Sequence, residues 1–292
     1  MRRRIGVSVP LLFGISTAAL AQKAMPAGPS GPPPILQRYR EVVKVGRGDA
    51  HEVNEHGWSL AYAKSKLPVY GIAMTAMTGS SEAWFFSVWP SFKALDESNA
   101  AIAKDKELTA AISTYAAKDA DYVTDAIGSF WVIRPDLSYR DTVDWSRMHA
   151  YEMVTVRARP GHGDDVKKIA EMLAATHKAA GTSAHWAMYQ GTLGVPDGTY
   201  LVIVPHENVA EIDVGMREDA AFGKALGEAG AKTMDKLSSD AVISVQTDLF
   251  AVSPKMSYVS EAWRASDADF WKGAVVMQSG SPMPMKKEPK KP

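Results

Sequence analysis

The chain has no cysteine among its 292 residues, which excludes a disulfide framework, a thiolate nucleophile, a cysteine-ligated zinc or iron–sulfur centre and a lipid-modified cysteine. It also lacks an excess of either charge, with 33 Lys and Arg against 33 Asp and Glu. No basic stripe with interleaved aromatics runs through the periodic segments, so no nucleic-acid partner is expected. Beyond the first twenty-odd residues no apolar run reaches the roughly 20 residues that a spanning helix needs. There is no Gly-x-Ser-x-Gly elbow and no phosphate-binding loop. The fold must rest on its hydrophobic core.

What is present begins with an address. Arg2, Arg3 and Arg4 precede an uncharged, mostly apolar stretch from Ile5 to Leu20, and Ala19-Leu20-Ala21 forms a small-x-small cleavage site. Residues 1–21 therefore read as a signal peptide. That implies export to a bacterial periplasm or beyond, with no membrane attachment after cleavage. Removing them leaves 30 basic against 33 acidic residues, and setting aside Lys286 to Pro292 leaves 26 against 32. Such a body repels phosphate backbones. Residues 22–34, with five prolines, form a spacer, and residues 275–292 read as a disordered basic tail.

The rest of the chain contains the same unit twice. Phe130-Trp131-Val132-Ile133-Arg134-Pro135-Asp136-Leu137-Ser138-Tyr139 returns 119 residues later as Leu249-Phe250-Ala251-Val252-Ser253-Pro254-Lys255-Met256-Ser257-Tyr258, with Pro, Ser and Tyr in register. Glu41 to Val45 before Gly46-Arg47-Gly48-Asp49 matches Glu152 to Val156 before Gly161-His162-Gly163-Asp164. Phe85 to Pro90 answers Leu201 to Pro205. Landmarks in one order define repeats at 35–140 and 148–259.

Within each repeat the periodicities run β-α-β-β-α-β, the split βαβ plan of a four-stranded antiparallel sheet with helices on one face. Asp49 and Glu52 fit a helix cap and its partner. The strands Trp84 to Trp89 and Tyr200 to Val204 are apolar on both sides, so the sheet face without helices is not meant for water. The economical arrangement packs the two bare faces against each other. The expected class is thus α+β, two tandem ferredoxin-like repeats forming an intramolecular α/β barrel.

In its element order, its strand-turn-helix openings and its two Pro-x-x-Ser-Tyr landmarks, the segment 35–259 resembles the dimeric α/β-barrel superfamily, which includes NIPSNAP-type, stress-responsive and antibiotic-biosynthesis-monooxygenase-like domains. The resemblance implies the fold. The superfamily spans cofactor-free oxygenases, haem enzymes and isomerases, and no residue-level signature transfers a catalytic role.

Strand alternation puts Val154 and Val156 toward the helices and His149, Tyr151, Met153 and Thr155 on the opposite face, matched in the first repeat by Arg38, Arg40, Val42 and Lys44. His185 and Tyr189 share a face whose direction alternation leaves open. Trp131 and Arg134 end the last strand of the first repeat. Polar groups found in one copy only are the better functional candidates, because the shared ones suffice for the fold. His149, Tyr151, His185 and Tyr189 are the catalytic candidates, and Arg134, Trp131 and Met153 the ligand contacts. A His beside a Tyr is an acid/base pair near neutral pH. His149 or His185 would also serve a haem iron, but no third metal ligand is visible, and neither metal nor cofactor is expected.

His51 and His56 are five residues apart, about 140° around a helix, which excludes the zinc-protease pattern. His51 with Glu55 has the spacing of a surface ion pair or of half a metal site, and reads as a solvated face. Glu41 and Glu152 read as structural, pairing across the pseudo-twofold. The function expected is an exported protein that binds a small apolar or aromatic molecule or acts as a scaffold; the alternative is a cofactor-independent oxygenase or isomerase.

Overall fold

The computed structural model describes residues 31–276, so the segment read as a signal peptide, most of that read as a spacer and the residues beyond Val276 lie outside the described residues. The first repeat comprises β1 (Ile35–Val43), α1 (Gly48–Ser65), β2 (Gly71–Ala76), β3 (Glu82–Trp89), α2 (Phe92–Lys104), α3 (Lys106–Tyr122) and β4 (Val123–Ile133). The second comprises β5 (Ala150–Ala158), α4 (Gly163–Ala180), β6 (Ala187–Leu193), β7 (Thr199–His206), α5 (Ile212–Ala241) and β8 (Val242–Val259). Beyond it come α6 (Glu261–Ser266) and β9 (Val275–Val276), so the first two residues of the segment read as tail pair with β8. The second helical stretch breaks once in each repeat. Asp105 separates α2 from α3 and caps α3 at Leu108 N, while α5 kinks at Gly227 with φ +65°. The expected cap at the start of α1 is absent: that end makes no side-chain cap bond, and Glu52 instead pairs with Lys255 of β8.

Each repeat has the antiparallel ferredoxin-like strand order, β4-β1-β3-β2 and β8-β5-β7-β6, and the two join edge to edge through β4–β6 and β2–β8 into a closed eight-stranded barrel. Closure removes the exposed edges that a single four-stranded sheet would present. The repeated Pro-x-x-Ser-Tyr landmark is part of this closure. Ser138 Oγ accepts from Met188 N of β6 at 2.9 Å, and Ser257 Oγ accepts from Ala73 N of β2 at 3.0 Å. Each hydroxyl also donates to the carbonyl four residues back. Tyr139 pairs with Trp186 as Tyr258 pairs with Gly71. The turn following β4 and the end of β8 thus latch onto the second strand of the other repeat.

Inward-facing positions follow the alternation. Leu36, Met74, Trp84, Phe86, Trp131, Tyr151, Met153, Tyr189, Leu201, Ile203 and Phe250 make one buried cluster. Arg38 lies among them, its guanidinium 4.5 Å from the Trp84 ring centre and 4.9 Å from that of Trp131, and burial lowers its pKa to about 10. These side chains fill the barrel. The space left at its apolar end is a cavity of about 80 Å³, well below the roughly 300–1,000 Å³ of small-molecule sites. That end is closed by Trp145 of the linker and by Trp263 and Trp271 of the C-terminal segment, all packed on the same cluster. The interior is therefore largely a core.

Candidate functional site

The two repeats differ most where their helices meet the sheet. In the second, α4 buries Val166 and Ala170 against Trp186, Met188 and Tyr200, giving a packed apolar layer. In the first, α1 turns His51, Asn54, Glu55, Gly57 and Ser59 inward. Small and polar side chains cannot fill the gap to a sheet face carrying Tyr39, Phe85 and Trp89, and a cavity of about 500 Å³ remains. Trp58 and Tyr62 of α1, Ile102 of α2 and Ile112 of α3 complete its apolar wall. Tyr39, 49% exposed, lies where it meets solvent.

Carboxylates stand on the wall of this cavity. Glu41, from the helix side of β1, accepts a hydrogen bond from His51 Nε2 at 2.8 Å. Glu55, one turn further along α1, brings Oε1 to 3.9 Å from the same nitrogen. His51 is 2% exposed and Glu55 7%. Burial, then the neighbouring charges of Glu41 and Asp119, push the Glu55 carboxyl up to about 10. Asp119 is raised by burial and by Glu41, although Asn54, the Glu55 carboxyl and Trp58 hydrogen-bond to it. Glu55 Oε1 has no hydrogen-bond partner among the described residues.

This overturns two expectations. His51 and Glu55 do not form a solvated face, because the helix turns that side onto the sheet. Glu41 and Glu152 do not pair across the pseudo-twofold: strand alternation aims both at their own helix layers, where Glu41 meets His51 and Glu152 accepts from His206 Nε2 at 2.8 Å. The signal was present in the sequence as a polar stripe at 51, 54, 55 and 59, helical spacing where an apolar stripe is the rule.

The candidates read from the sequence lie elsewhere. Tyr151 and Tyr189 point into the barrel, where they donate to the carbonyls of Trp145 at 3.4 Å and Pro33 at 3.0 Å; burial raises both phenols and keeps them protonated. Met153 and Trp131 are fully buried there, the indole donating to Ser129 Oγ. His149 stands at the barrel end, Nε2 3.0 Å from Asp267 and its ring stacked on Phe270 at 3.6 Å. His185 lies at the edge of β6 against the carbonyls of Ser183 and Pro205. Arg134 is outside, gripping Asp136 through two nitrogens and Gln190 through a third. The structure joins Tyr151, Tyr189 and Met153 around the small inner cavity and keeps His149, His185 and Arg134 away from it.

No family model and no curated protein matches the chain. Among solved structures it is similar to a candidate monooxygenase of Fusobacterium nucleatum, at 10% identity over 75% of this chain and 92% of that one, TM-score 0.49. An anthrone oxidase-like protein matches at 8% identity over 76% and 92%, TM-score 0.49. A haem-binding protein of Thermus thermophilus matches at 11% over 78% and 94%, TM-score 0.38. At these identities and TM-scores no activity passes from any of them to this chain. The architecture rests on this chain's own strand pairing, two four-stranded antiparallel halves joined into one closed barrel.

Proposed function

We propose that the protein is an exported small-molecule-binding protein, and that its ligand is an apolar or aromatic compound held between the sheet and the helices of the first repeat, not inside the barrel. One observation carries this reading: of two copies of one unit, one has a packed helix–sheet layer and the other an aromatic-walled cavity of about 500 Å³. That volume lies within the range of small-molecule sites. The Glu41 and Glu55 carboxyls on its wall provide the few polar groups that orient such a ligand. Export rests on the Arg2 to Ala21 pattern, and N-terminal sequencing of the host's protein should begin at Gln22.

The test is titration with the aromatic probe 1-anilinonaphthalene-8-sulfonate, followed by probe emission and by quenching of tryptophan. Binding should be saturable and weaken at least tenfold in Ser87→Leu, which fills the cavity from the β3 side. Tyr189→Phe, inside the barrel, should leave it unchanged. Equal affinity in Ser87→Leu and the parent protein would remove the cavity from consideration.

A further inference from the structure

We propose that Glu41, His51 and Glu55 form a binding site for a divalent transition-metal cation of the zinc type, at the edge of the first repeat's cavity. The proposal does not depend on an organic molecule entering that cavity.

The donor set is the first ground. One nitrogen, His51 Nε2, faces one carboxylate at 2.8 Å and a second at 3.9 Å, and one ligand atom from each of the three residues lies within 4.8 Å of the others. Tetrahedral zinc with bonds of about 2.0–2.2 Å separates its ligands by roughly 3.3–3.6 Å. The observed separations bracket that value, so small side-chain rotations admit an ion. Two carboxylates and an imidazole suit a borderline cation, and three protein ligands leave a fourth position open. Glu41 and Glu55 both line the cavity, so that position is accessible to water or to a donor atom of a bound molecule.

The second ground is independent of ligand spacing. Glu55 is more than nine-tenths buried, and its Oε1, directed toward His51, has no hydrogen-bond donor. The carboxyl as a whole is hydrogen-bonded to Asp119, but an unmet oxygen in a buried carboxyl is costly, and Glu41 and Asp119 nearby add like charge. A proton shared with Asp119 relieves the repulsion but leaves Oε1 unmet, whereas a cation between Oε1, Glu41 and His51 Nε2 would satisfy it. Asp119 is held by Asn54 and Trp58 beside the cluster, the type of outer support that fixes ligand orientation.

The second repeat provides the internal control. His206 also meets two carboxylates, but Glu152 approaches Nε2 at 2.8 Å and Glu211 approaches Nδ1 at 3.6 Å. Opposite ring nitrogens cannot bind one ion, so that trio is an ion-pair network and not a site.

The experiment uses chelator-treated, untagged protein titrated with Co²⁺, read by visible absorption, with Zn²⁺ as competitor. The expected result is one equivalent per chain, a d–d band of four- or five-coordinate intensity, and displacement by Zn²⁺. Affinity should fall at least tenfold in His51→Gln and in Glu55→Gln, and stay within twofold in His206→Gln. Absence of stoichiometric binding would overturn the proposal, as would equal affinity in Glu55→Gln or loss in His206→Gln. Circular dichroism accompanies each variant, and if His51→Gln fails to fold, Glu55→Gln decides, since it keeps the side-chain shape and removes the carboxylate oxygen that would bind the cation. Binding of the aromatic probe is measured separately, so either reading can fail without the other.

Discussion

Glu55 shows how one side chain changes meaning with its surroundings. On an exposed helix it would be half of an i, i+4 pair with His51, worth a few tenths of a kcal/mol. Facing the sheet, its carboxyl is raised from 4.5 to about 10, so the folded protein holds a proton that the unfolded chain has lost at neutral pH. With more protons bound in the folded state, stability must fall as pH rises between those values, at up to about 1.4 kcal/mol per unit. Metal-free protein should therefore show a higher urea midpoint at pH 6 than at pH 8.5. Glu55→Gln should flatten that dependence, and an unchanged slope would assign it to other groups. His51, Glu55 and the acid of β1 were each visible in the sequence. Their meeting was not, because a helix's facing side depends on what it packs against.

Among the elements, the two segments that close the seams, the turn after β4 and the end of β8, are the most informative. Pro-x-x-Ser-Tyr was legible as a repeated landmark, but its task is tertiary: Ser138 and Ser257 satisfy backbone donors of a strand belonging to the other repeat. Ser257 is fully buried, so Ser257→Ala leaves the Ala73 N–H without its acceptor. The expected cost is about 1–3 kcal/mol, with faster amide exchange at Ala73. Ser138→Ala should act in the same way on Met188, and the two costs should add, since the latches share no partners. A change confined to the mutated strand would show that the hydroxyls do not hold the seams. Helix α1 is the counter-example to sequence reading by element. Its start was legible from the Gly-x-Gly-Asp turn before it, yet its polar inner face has no apolar period to mark it as inward.

As a molecule the protein is one barrel closed twice, by strand pairing around its wall and by side chains at its apolar end. Trp271 is fully buried and donates to the Ser146 carbonyl at 2.7 Å, tying the C-terminal segment to the linker between repeats. Trp271→Ala should cost about 3–5 kcal/mol in denaturant unfolding, without loss of Co²⁺ affinity at 25 °C, because plug and cluster occupy different layers. Duplication, the β-α-β-β-α-β order and the barrel followed from local pattern, since alternation, turns and repeated spacing are properties of neighbouring residues. Whether the barrel is hollow and which helix layer is packed depended on side-chain volumes brought together from distant parts of the chain. Trp84, Trp131, Phe86 and Phe250 filled the interior, while a polar α1 left room outside it. Packing is a sum over neighbours in space, and those neighbours exist only once the chain has folded.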